Sequence, residues 1–568
     1  MSSEPCFPPP LRVTAGDALQ QLPLHDVAGT RTIEAQGLAT VPPRTLMRRA
    51  GMAVARVALA IAPHAQKIWI ACGPGNNGGD GLQAAACLRQ AGKNVQITLL
   101  AEPDRLPSDA RGAWEDARAA GVAFVDAAPA LTPGDLCIDA LLGIGAQRPP
   151  AGRMLDSILG LQHAPCPVLA IDVPTGLHPD TGTWLDDAAQ GTHAVHAQHT
   201  LTMLTLKPGF FTGHGRDACG QVWWDGLGIC RQGPADAHAV AYLQGACLNG
   251  KSHSSSASAA LLPPYASHKG SFGDVCVAGG ARGMTGAALL AGSAALHAGA
   301  GRVYVGLLTS DRRATDAALS LQPELMIRSI GETPGAGVAS ACPWTTSTVV
   351  LGCGGGEAVA AWTETVCLTA PRLVLDADGL NAVAGSDVLQ EAVRSRLERG
   401  QVTILTPHPT EAARLLKSNT AAVQADRLGA AQQLGERLQA VVVLKGSGTV
   451  VWAPAVSPEP PRAPMHSHAH LCMPLLHRHL PLVHLAGNAR LSTAGTGDVL
   501  AGCIAGYWAQ LTSSVDTHST PACALSAACR ASSLGVQAHG SVADGWALSE
   551  TLTAGAVARH IPRLHVGA

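Results

Sequence analysis

Residues 67–81 have the sequence KIWIACGPGNNGGDG, in which an apolar run passes through a glycine-rich turn into small and polar residues. The apolar run predicts a strand at Lys67–Cys72, and the pattern that follows predicts a helix at Gly79–Gln90. The spacing G-x-G-x-x-G is satisfied by Gly73, Gly75 and Gly78. A strand that enters a helix through such a turn is typical of an α/β domain with a parallel sheet.

The N-terminal part of the chain repeats this alternation. Further strands are predicted at Val95–Leu100, Val122–Val125, Leu136–Ala140, Val168–Asp172 and Thr200–Leu206. Further helices are predicted at Pro43–Ala60 and Asp109–Ala120. Strands that alternate with helices at this spacing indicate a parallel sheet covered by helices.

The C-terminal part has the same organisation with a larger sheet. Its strands are predicted at Asp274–Ala278, Arg302–Leu307, Thr348–Leu351, Leu373–Asp376, Thr403–Thr406 and Val441–Lys445. Between the two parts, Gly245–Ser258 has the linker-like sequence GACLNGKSHSSSAS. We therefore expect an α/β domain at residues 1–244, a linker at 245–262 and a second α/β domain at 263–568.

Composition excludes several classes of protein. Of the 568 residues, 47% are hydrophobic, which is enough for large cores and argues against a mainly disordered chain. The net charge of −2 and the aromatic content of 3% argue against nucleic-acid binding. The 16 cysteines include no C-x-x-C pair, which predicts reduced thiols in a cytoplasmic protein. Seven residues are lysine, so each lysine is a candidate for a specific role.

Targeting and membrane signals are not expected in this chain. The first residues, MSSEPCFPPPLR, have no apolar segment of the kind that a signal peptide needs. The stretch Gly286–Gly301 is rich in alanine and glycine and contains a histidine, so it predicts a packed core helix rather than a membrane span.

Polar side chains follow three predicted strands of the N-terminal domain. Asn76–Asp80 places two amides and a carboxylate in the first turn, and Asp139 and Asp172 end two later strands. Ligands of open α/β sheets bind beyond the carboxyl ends of strands, and these oxygens suit a hard cation or a hydroxylated substrate. The turn alone leaves two alternatives open: a dinucleotide site with Glu102 on the ribose, or a tight turn without a ligand.

Four motifs in the N-terminal domain resemble the epimerase domain of NAD(P)H-hydrate repair enzymes. They are GNNGGDG at residues 75–81, DALLGIG at 139–145, IDVPTGL at 171–177 and LKPG at 206–209. The resemblance covers roughly Ala28 to Ile229. It implies a Rossmann-like fold that interconverts the R and S hydrates of NADH and NADPH.

The same resemblance assigns roles to individual residues. It implies that Asp172 contacts the substrate and carries acid/base steps at the hydrated carbon. It implies a potassium ion held by Asn77, Asp139 and Thr175, the last of which stands where the family usually has serine. The other implied substrate contacts are Asn76, Asn77, Gly78, Gly79, Asp80, Gly143, Ile144, Gly145, Ala146, Gln147, Arg148 and Pro149.

The strongest motif of the C-terminal domain is TAGTGDVLAG at Thr493–Gly502. Gly495 and Gly497 allow successive backbone N–H groups to converge on an anion, and the helix that follows adds its positive end. Asp498 lies beside these groups and is a candidate base for a substrate hydroxyl that attacks a phosphoryl group. The alternative role of Asp498 is to cap the helix.

Other loops at predicted strand ends add to this site. Lys445–Thr449 forms a glycine turn that suits nucleotide phosphates, and Gly352–Gly356 is a second glycine-rich loop. Asp376 and Asp378 place two carboxylates after another strand. His408, in the sequence TPHPTE, is a candidate ligand contact or part of an ordinary helix start.

These motifs resemble the ribokinase-like dehydratase domain of the same repair enzymes, over roughly Pro263 to Pro562. The resemblance implies that ADP or ATP phosphorylates the hydroxyl of the S hydrate and that loss of phosphate restores NAD(P)H, with Mg²⁺ neutralising charge. Asp498 would be the base, and Cys353 stands where the family usually has proline. The implied hydrate contacts are Ala287, Gly354, His408 and Asp498, and the implied nucleotide contacts are Lys445, Gly446, Ser447, Gly448, Thr449 and Gly497.

A histidine-rich segment separates two of these motifs. Pro454–His484 contains six of the 23 histidines, a composition that permits a zinc cluster. The chemistry around it needs no zinc, so we favour a long loop or an insertion.

The sequence therefore predicts a bifunctional enzyme, an NAD(P)H-hydrate epimerase (isomerase) joined to an ADP- or ATP-dependent dehydratase (lyase). Its expected partners are NAD(P)H hydrates and adenine nucleotide, with no nucleic acid and no membrane. By resemblance we also expect a homo-oligomer, and a preference for ADP if the chain is bacterial. The alternative is a ribokinase-type vitamin or sugar kinase with a non-catalytic N-terminal interaction domain.

Overall fold

The computed structural model describes residues 8–18, 20–186, 193–229, 234, 236–248, 266–334, 342–455, 479–513 and 520–564. The chain forms two compact units: unit 1 is Met1–Gly16 with Gln21–Lys251, and unit 2 is Asp17–Gln20 with Ser252–Ala568. The expected linker starts with a strand at Ala246–Leu248, and its residues 249–262 lie outside the described ranges. The boundaries 1–244 and 263–568 stay a prediction.

Unit 1 contains a nine-stranded sheet in the order β11-β1-β9-β8-β7-β6-β3-β4-β5. The strands from β9 to β5 are parallel, β1 is antiparallel to β9 and β11, and β2 and β10 form an antiparallel pair. The bounds are β1 Leu11–Ala15, β2 Gln21–Leu24, β3 Ile68–Cys72, β4 Val95–Leu99, β5 Ala123–Phe124, β6 Leu136–Ala140, β7 Val168–Ile171, β8 His199–Met203, β9 Gln221–Asp225, β10 Ala241–Gln244 and β11 Ala246–Leu248.

Helices cover both faces of this sheet, which explains why strands such as β3 are apolar throughout. Ile68 and Ile70 pack in one buried cluster, with residues of the second, third and fourth helices, whereas Trp69 and Ala71 pack in another, with the fifth helix. A parallel strand buried on both faces has an unbroken apolar sequence. The helices are α1 Val27–Leu38, α2 Thr45–Ile61, α3 Asn76–Gln90, α4 Ser108–Ala119, α5 Arg153–Gln162 and α6 Gly215–Cys219.

Unit 2 contains a second, mainly parallel sheet. Its strands lie in the order β14-β13-β12-β15-β16-β17-β18-β19-β20, parallel as far as β18 and antiparallel beyond it. The bounds are β12 Asp274–Gly279, β13 Arg302–Leu307, β14 Met326–Ser329, β15 Thr348–Leu351, β16 Arg372–Leu375, β17 Val402–Leu405, β18 Val441–Leu444, β19 Val450–Trp452 and β20 Leu482–His484.

The helices of unit 2 surround this sheet. They are α7 Thr285–His297, α8 Arg312–Leu321, α9 Val359–Thr369, α10 Ala377–Ala384, α11 Asp387–Arg394, α12 Pro409–Leu415, α13 Thr420–Ala425, α14 Arg427–Leu438, α15 Thr496–Ser513, α16 Pro521–Gly545 and α17 Ala554–His560. The core helix expected from Gly286–Gly301 is confirmed as α7. Within the described ranges, no helix is both long enough and apolar enough to span a membrane.

The α/β fold and every strand expected in the two sheets are confirmed, with ends that differ by up to three residues. In each sheet the chain first adds two strands on one side of its first parallel strand, and it then adds the remaining parallel strands on the other side. The strand order therefore reverses between β3 and β6 in unit 1 and between β12 and β15 in unit 2. Crevices for ligands form beyond the carboxyl ends of strands at such a reversal.

The turn after β3 provides a test of how tightly this crevice is built. A Cβ atom on Gly73 would lie 1.8 Å from the carbonyl oxygen of Leu141, whereas one on Gly75 would meet nothing within 4 Å. We expect Gly73→Ala to lower the free energy of unfolding by about 2 kcal/mol or more, because backbone must shift. Gly75→Ala, the matched control, should cost less than about 1 kcal/mol. Urea unfolding measures both free energies, and equal losses in the two variants would contradict the close contact between Gly73 and the Leu141 carbonyl.

Candidate active sites

The first site lies beyond the carboxyl ends of four adjacent parallel strands, β3, β6, β7 and β8. Asp172 follows β7 directly and has a left-handed backbone with φ of 62°. Its Oδ1 accepts a hydrogen bond from Lys207 Nζ at 2.9 Å, and its Oδ2 accepts one from the Ile144 backbone N–H at 3.1 Å. Few residues other than glycine adopt this backbone region, so the surrounding contacts must hold Asp172 in it. The structure therefore fixes Asp172 from both sides at the mouth of the crevice.

Lys207 is the functional residue that sequence reasoning missed. Its side chain is fully buried and also donates to the Thr202 hydroxyl and the Met203 carbonyl. Two signals could have identified it, since it belongs to the LKPG motif and is one of only seven lysines. A buried ammonium group needs a carboxylate and further acceptors, so Lys207 and Asp172 hold each other in place.

Two further carboxyl groups lie near this pair. Burial raises the pKa of Asp80 well above its usual value, and the nearby carboxylates of Asp172 and Glu34 add to the shift. Burial likewise raises the pKa of Glu34, with a second contribution from Asp172. The site therefore combines one ion-paired carboxylate with two carboxyl groups that retain a proton more readily than usual.

The residues expected to hold potassium include a hydrogen-bonded pair, Asp139 and Thr175, and one buried amide, Asn77. Asp139 is fully buried on β6 and accepts hydrogen bonds from the Thr175 hydroxyl and backbone N–H, both at 2.8 Å. The amide nitrogen and oxygen of Asn77 are buried without a hydrogen-bond partner. Burial raises the pKa of Asp139 to about 6. An unsatisfied amide oxygen, a hydroxyl and a buried carboxylate are ligands that a hard cation prefers, so this group fits potassium.

The other expected epimerase contacts divide into packed and open positions. Gly78 and Gly79 are set by packing, since a Cβ atom would lie 2.0 Å from the Gly73 oxygen and 2.6 Å from Met47 Cε respectively. A Cβ atom on Gly143 would lie 3.0 Å from Asp172 Oδ2. The exposed positions are Asn76, Gly145, Gln147, Arg148 and Pro149, and Ile144 and Ala146 are half-buried. Glu102, the ribose ligand of the alternative dinucleotide site, is exposed after β4.

The second site lies beyond the carboxyl ends of β12, β15, β16, β17 and β18, beside the start of α15. Asp376 is buried, and its Oδ1 accepts hydrogen bonds from Lys445 Nζ at 2.8 Å and from the Thr406 hydroxyl at 2.7 Å. A Cβ atom on Gly497 would lie 3.2 Å from Lys445 Nζ. The first turn of α15 is therefore brought against the lysine that follows β18.

Asp498 faces this cluster rather than capping its helix. Helix α15 begins at Thr496, so Asp498 lies in the first turn. Ligand atoms of Cys353, Asp376 and Asp498 lie within 4.8 Å of one another. Burial raises the pKa of Asp498 to about 6, and the nearby Asp376 carboxylate adds to the shift. A carboxylate with this pKa is suited to accept a proton near neutral pH.

The cluster is a poor cage for magnesium by itself. Burial raises the pKa of the Cys353 thiol well above its usual value, and Asp498 adds to the shift. Magnesium prefers oxygen ligands and usually retains water or phosphate oxygens. The residues fit a magnesium ion that is held by one carboxylate and by nucleotide phosphates, with no part for the thiol.

The expected hydrate contacts of unit 2 are only partly brought together. A Cβ atom on Gly354 would lie 2.8 Å from the Ala287 side chain, so these two positions are adjacent. His408 is exposed and caps α12, where its Nδ1 accepts hydrogen bonds from the backbone N–H groups of Thr410 and Glu411. His408 is therefore the N-terminal cap of α12, which is the alternative that the sequence offered. Its contact with a hydrate stays a prediction.

The structure describes little of the histidine-rich segment. Residues 456–478 lie outside the described ranges. His484 is buried in β20, where Nε2 lies 3.2 Å from the Ser533 hydroxyl and burial lowers its pKa to about 3. In the described part of the chain, Cys353, Asp376 and Asp498 form the only group of three His, Cys, Asp or Glu side chains whose ligand atoms lie close enough to share one metal ion.

Comparison with known proteins decides the family. A profile described as YjeF-related protein N-terminus matches residues 43–209, and one described as NAD(P)H-hydrate dehydratase matches residues 275–458. The bifunctional NAD(P)H-hydrate repair enzyme Nnr of Escherichia coli K12 is 34% identical over 514 residues, which cover 88% of this chain and 84% of that protein. The chain belongs to the family of bifunctional NAD(P)H-hydrate repair enzymes. The resemblance that the motifs indicated is confirmed.

Other repair enzymes and one solved structure extend the comparison. The bifunctional NAD(P)H-hydrate repair enzyme of Leishmania major is 34% identical over 529 residues, 88% of each chain. A ribokinase-like superfamily protein of Enterococcus faecalis matches with a TM-score of 0.39 and 20% identity, over 53% of this chain and 89% of that protein. The two family profiles fall on separate units, and the first spans every strand that contributes to the Asp172 site.

Proposed function

We propose that unit 1 interconverts the R and S hydrates of NADH and NADPH and that unit 2 dehydrates the S hydrate with an adenine nucleotide. The observation that carries this proposal is the presence of two separate sites, each with a lysine–aspartate pair at the carboxyl edge of a parallel sheet. Membership of the bifunctional repair family supports the assignment.

In unit 1, Asp172 is the proposed base and Asp80 the proposed acid. A carboxyl group with a raised pKa, near an ion-paired carboxylate, provides both partners of a proton transfer. Protonation of the hydroxyl at the hydrated carbon allows the C–O bond to break and water to leave. Water then adds to the opposite face, its proton passes to a carboxylate, and the configuration at that carbon is inverted. Lys207 acts as a positioning residue, because its hydrogen bond to Oδ1 holds the Asp172 carboxylate in place.

We propose that potassium binds Asn77, Asp139 and Thr175. The partnerless buried amide of Asn77 supports this assignment. The ion would supply a fixed positive charge beside the substrate's anionic groups, while the three residues hold the loops after β3, β6 and β7 at fixed separations.

In unit 2, Asp498 is the proposed base of phosphoryl transfer. It takes the proton of the hydrate hydroxyl, whose oxygen forms a bond to the terminal phosphorus of ADP or ATP while the bond to the remaining nucleotide breaks. The C–O bond then breaks with phosphate as the leaving group, and loss of a proton from the neighbouring carbon restores the double bond. Lys445 and the N–H groups of Gly495–Gly497 stabilise the negative charge, and Mg²⁺ would neutralise the phosphates.

A cytoplasmic location and a homo-oligomeric assembly complete the proposal. The cysteines of the described residues are free thiols, including Cys137 and Cys166, whose sulfur atoms lie 3.6 Å apart. Scattered, mostly buried cysteines without a C-x-x-C pair are typical of a reducing compartment, which supports the proposed location. The homo-oligomer stays a prediction by resemblance.

Separate substitutions should separate the two activities. We expect Asp172→Asn to abolish epimerisation and to leave dehydration of the S hydrate unchanged, because the amide cannot exchange the proton. Asp498→Asn should have the opposite effect. The assay follows absorbance near 340 nm after addition of ADP or ATP to pure S hydrate or to the R and S mixture, and the Asp172→Asn protein is added to Asp498→Asn samples so that epimerisation can be read there as well.

Each variant is the control for the other, because each retains the activity of the intact unit. Loss of both activities in either variant would contradict two independent sites. A phosphorylated product that accumulates without recovery of absorbance would instead favour the simple kinase.

The dehydratase should lose activity as the pH falls. Since Asp498 must be deprotonated to act and its pKa is raised to about 6, kcat/KM should decline below about pH 6, by about tenfold per unit. Nucleotide phosphates titrate in the same range. Cys353→Ala tests whether the decline comes from Asp498 rather than from the nucleotide. The hydrogen bond from the Cys353 thiol lowers the pKa of Asp498, so its loss should move the decline to higher pH. A decline that begins only below pH 5, or that does not move in Cys353→Ala, would refute this role.

Potassium should stimulate epimerisation only when residue 175 has a side-chain hydroxyl. We expect Thr175→Val to remove the stimulation of epimerisation by KCl and Thr175→Ser to retain it, because only serine keeps an oxygen ligand. Initial epimerisation rates measured against KCl, with choline chloride at equal ionic strength, provide the comparison. Stimulation of equal size in the valine variant would exclude this site for the ion.

A further inference from the structure

A buried arginine lies beneath the glycine turn that follows β18. Arg427 is the first residue of α14 and is 2% exposed. Its Nη2 donates to the backbone carbonyls of Leu444 at 3.2 Å, Lys445 at 3.1 Å and Gly448 at 3.2 Å. The guanidinium group therefore binds the turn at both of its ends.

The turn packs closely against the guanidinium group and leaves no space for a side chain at position 446. A Cβ atom on Gly446 would lie 3.0 Å from both Nη1 and Nη2 of Arg427, and the φ of Gly446 is 135°. Gly448 also has a positive φ, of 66°. A side chain at position 446 would meet the arginine and force the backbone out of this region. Glycine is therefore required where the turn passes over the arginine.

The direction of the carbonyls determines where the N–H groups point. In a trans peptide the C=O and N–H of one unit point in opposite directions, and the described chain has no cis peptide. Because the Lys445 and Gly448 carbonyls point toward Arg427, the N–H groups of Gly446 and Thr449 point away from it. Backbone N–H groups presented together in this way bind anions.

The charge of Arg427 is not neutralised by a neighbour within the described contacts. Besides the three carbonyls, its Nη1 donates to the Gln424 amide oxygen at 2.7 Å. Burial lowers the pKa of Arg427 to about 10, so the group stays charged at neutral pH. A buried cation that contacts only neutral acceptors is costly and favours an anion close to the turn.

We infer that Arg427 is the positioning residue of the nucleotide site: it holds the Lys445–Thr449 turn so that its N–H groups face the phosphates of the adenine nucleotide. This inference rests on the proposed function of unit 2 and deepens it. Arg427 itself lies behind the turn and is not a catalytic residue. Neutralising Arg427 should therefore weaken nucleotide binding and leave the chemical step intact.

The test uses the full chain and a matched arginine at the opposite edge of the sheet. Arg396 is equally buried and donates to the Ala370 carbonyl and the Thr403 hydroxyl, both at 2.8 Å, near the amino ends of β16 and β17. Arg427→Met, Arg427→Lys and Arg396→Met are compared with the unchanged protein. Calorimetry gives the Kd for ADP and for ATP with Mg²⁺, and the hydrate assay gives KM and kcat.

We expect Arg427→Met to raise the Kd and KM for nucleotide about tenfold or more, with kcat changed less than about threefold. Arg427→Lys should fall between this variant and the unchanged protein, because it keeps the charge. Arg396→Met should bind nucleotide as the unchanged protein does. Nucleotide affinity that is unchanged in both Arg427 variants, or that falls equally in Arg396→Met, would overturn the inference, as would a fall in kcat alone.

The outcomes also separate this inference from the function on which it rests. If the unchanged protein binds ADP and Arg427→Met does not, but no hydrate is dehydrated, the inference stands and the proposed function fails. If the unchanged protein binds neither nucleotide, both fail. If Arg427→Met does not fold, Arg427→Lys decides the matter by the same binding measurement.

Discussion

Both sites depend on a lysine ammonium group that pairs with an aspartate at the carboxyl edge of a parallel sheet. Lys207 lies 2.9 Å from Asp172, and Lys445 lies 2.8 Å from Asp376. Removing such a group from water costs several kcal/mol unless a carboxylate and further acceptors replace the lost hydration. The pair therefore determines where its aspartate points, and the surrounding loops must leave space for it.

The two units use this pair in different ways. In unit 1 the paired aspartate, Asp172, is the proposed proton carrier itself. In unit 2 the paired aspartate, Asp376, is buried, and its charge adds to the effect of burial on Asp498, whose pKa rises to about 6. The first pair orients its own aspartate, whereas the second raises the pKa of a neighbouring carboxyl group, which suits the inversion at carbon and the phosphoryl transfer proposed for the two units.

The sequence predicted best those strands that are buried along their whole length. Strands β3 and β15 to β18 are buried on both faces, so their apolar runs predict them with small errors at the ends. Strands β1, β2, β10 and β11 gave no such signal, because each contains half-buried positions and their apolar runs are therefore interrupted. They also pair with segments distant in sequence, and Leu11, for example, lies opposite Trp224. Short strands of this kind depend on partners that local patterning does not identify.

By itself, the sequence determined the α/β class, the family and the loops that carry Asp172 and Asp498, because glycine turns at strand ends and their order survive as motifs. Only the tertiary structure decided that Lys207 binds Asp172, that His408 caps a helix, and that Arg427 lies beneath the Lys445–Thr449 turn. Those facts depend on which carboxyl ends become neighbours when strands distant in sequence align. They also depend on which charged groups are desolvated there, and the local spacing of residues in the sequence specifies neither property.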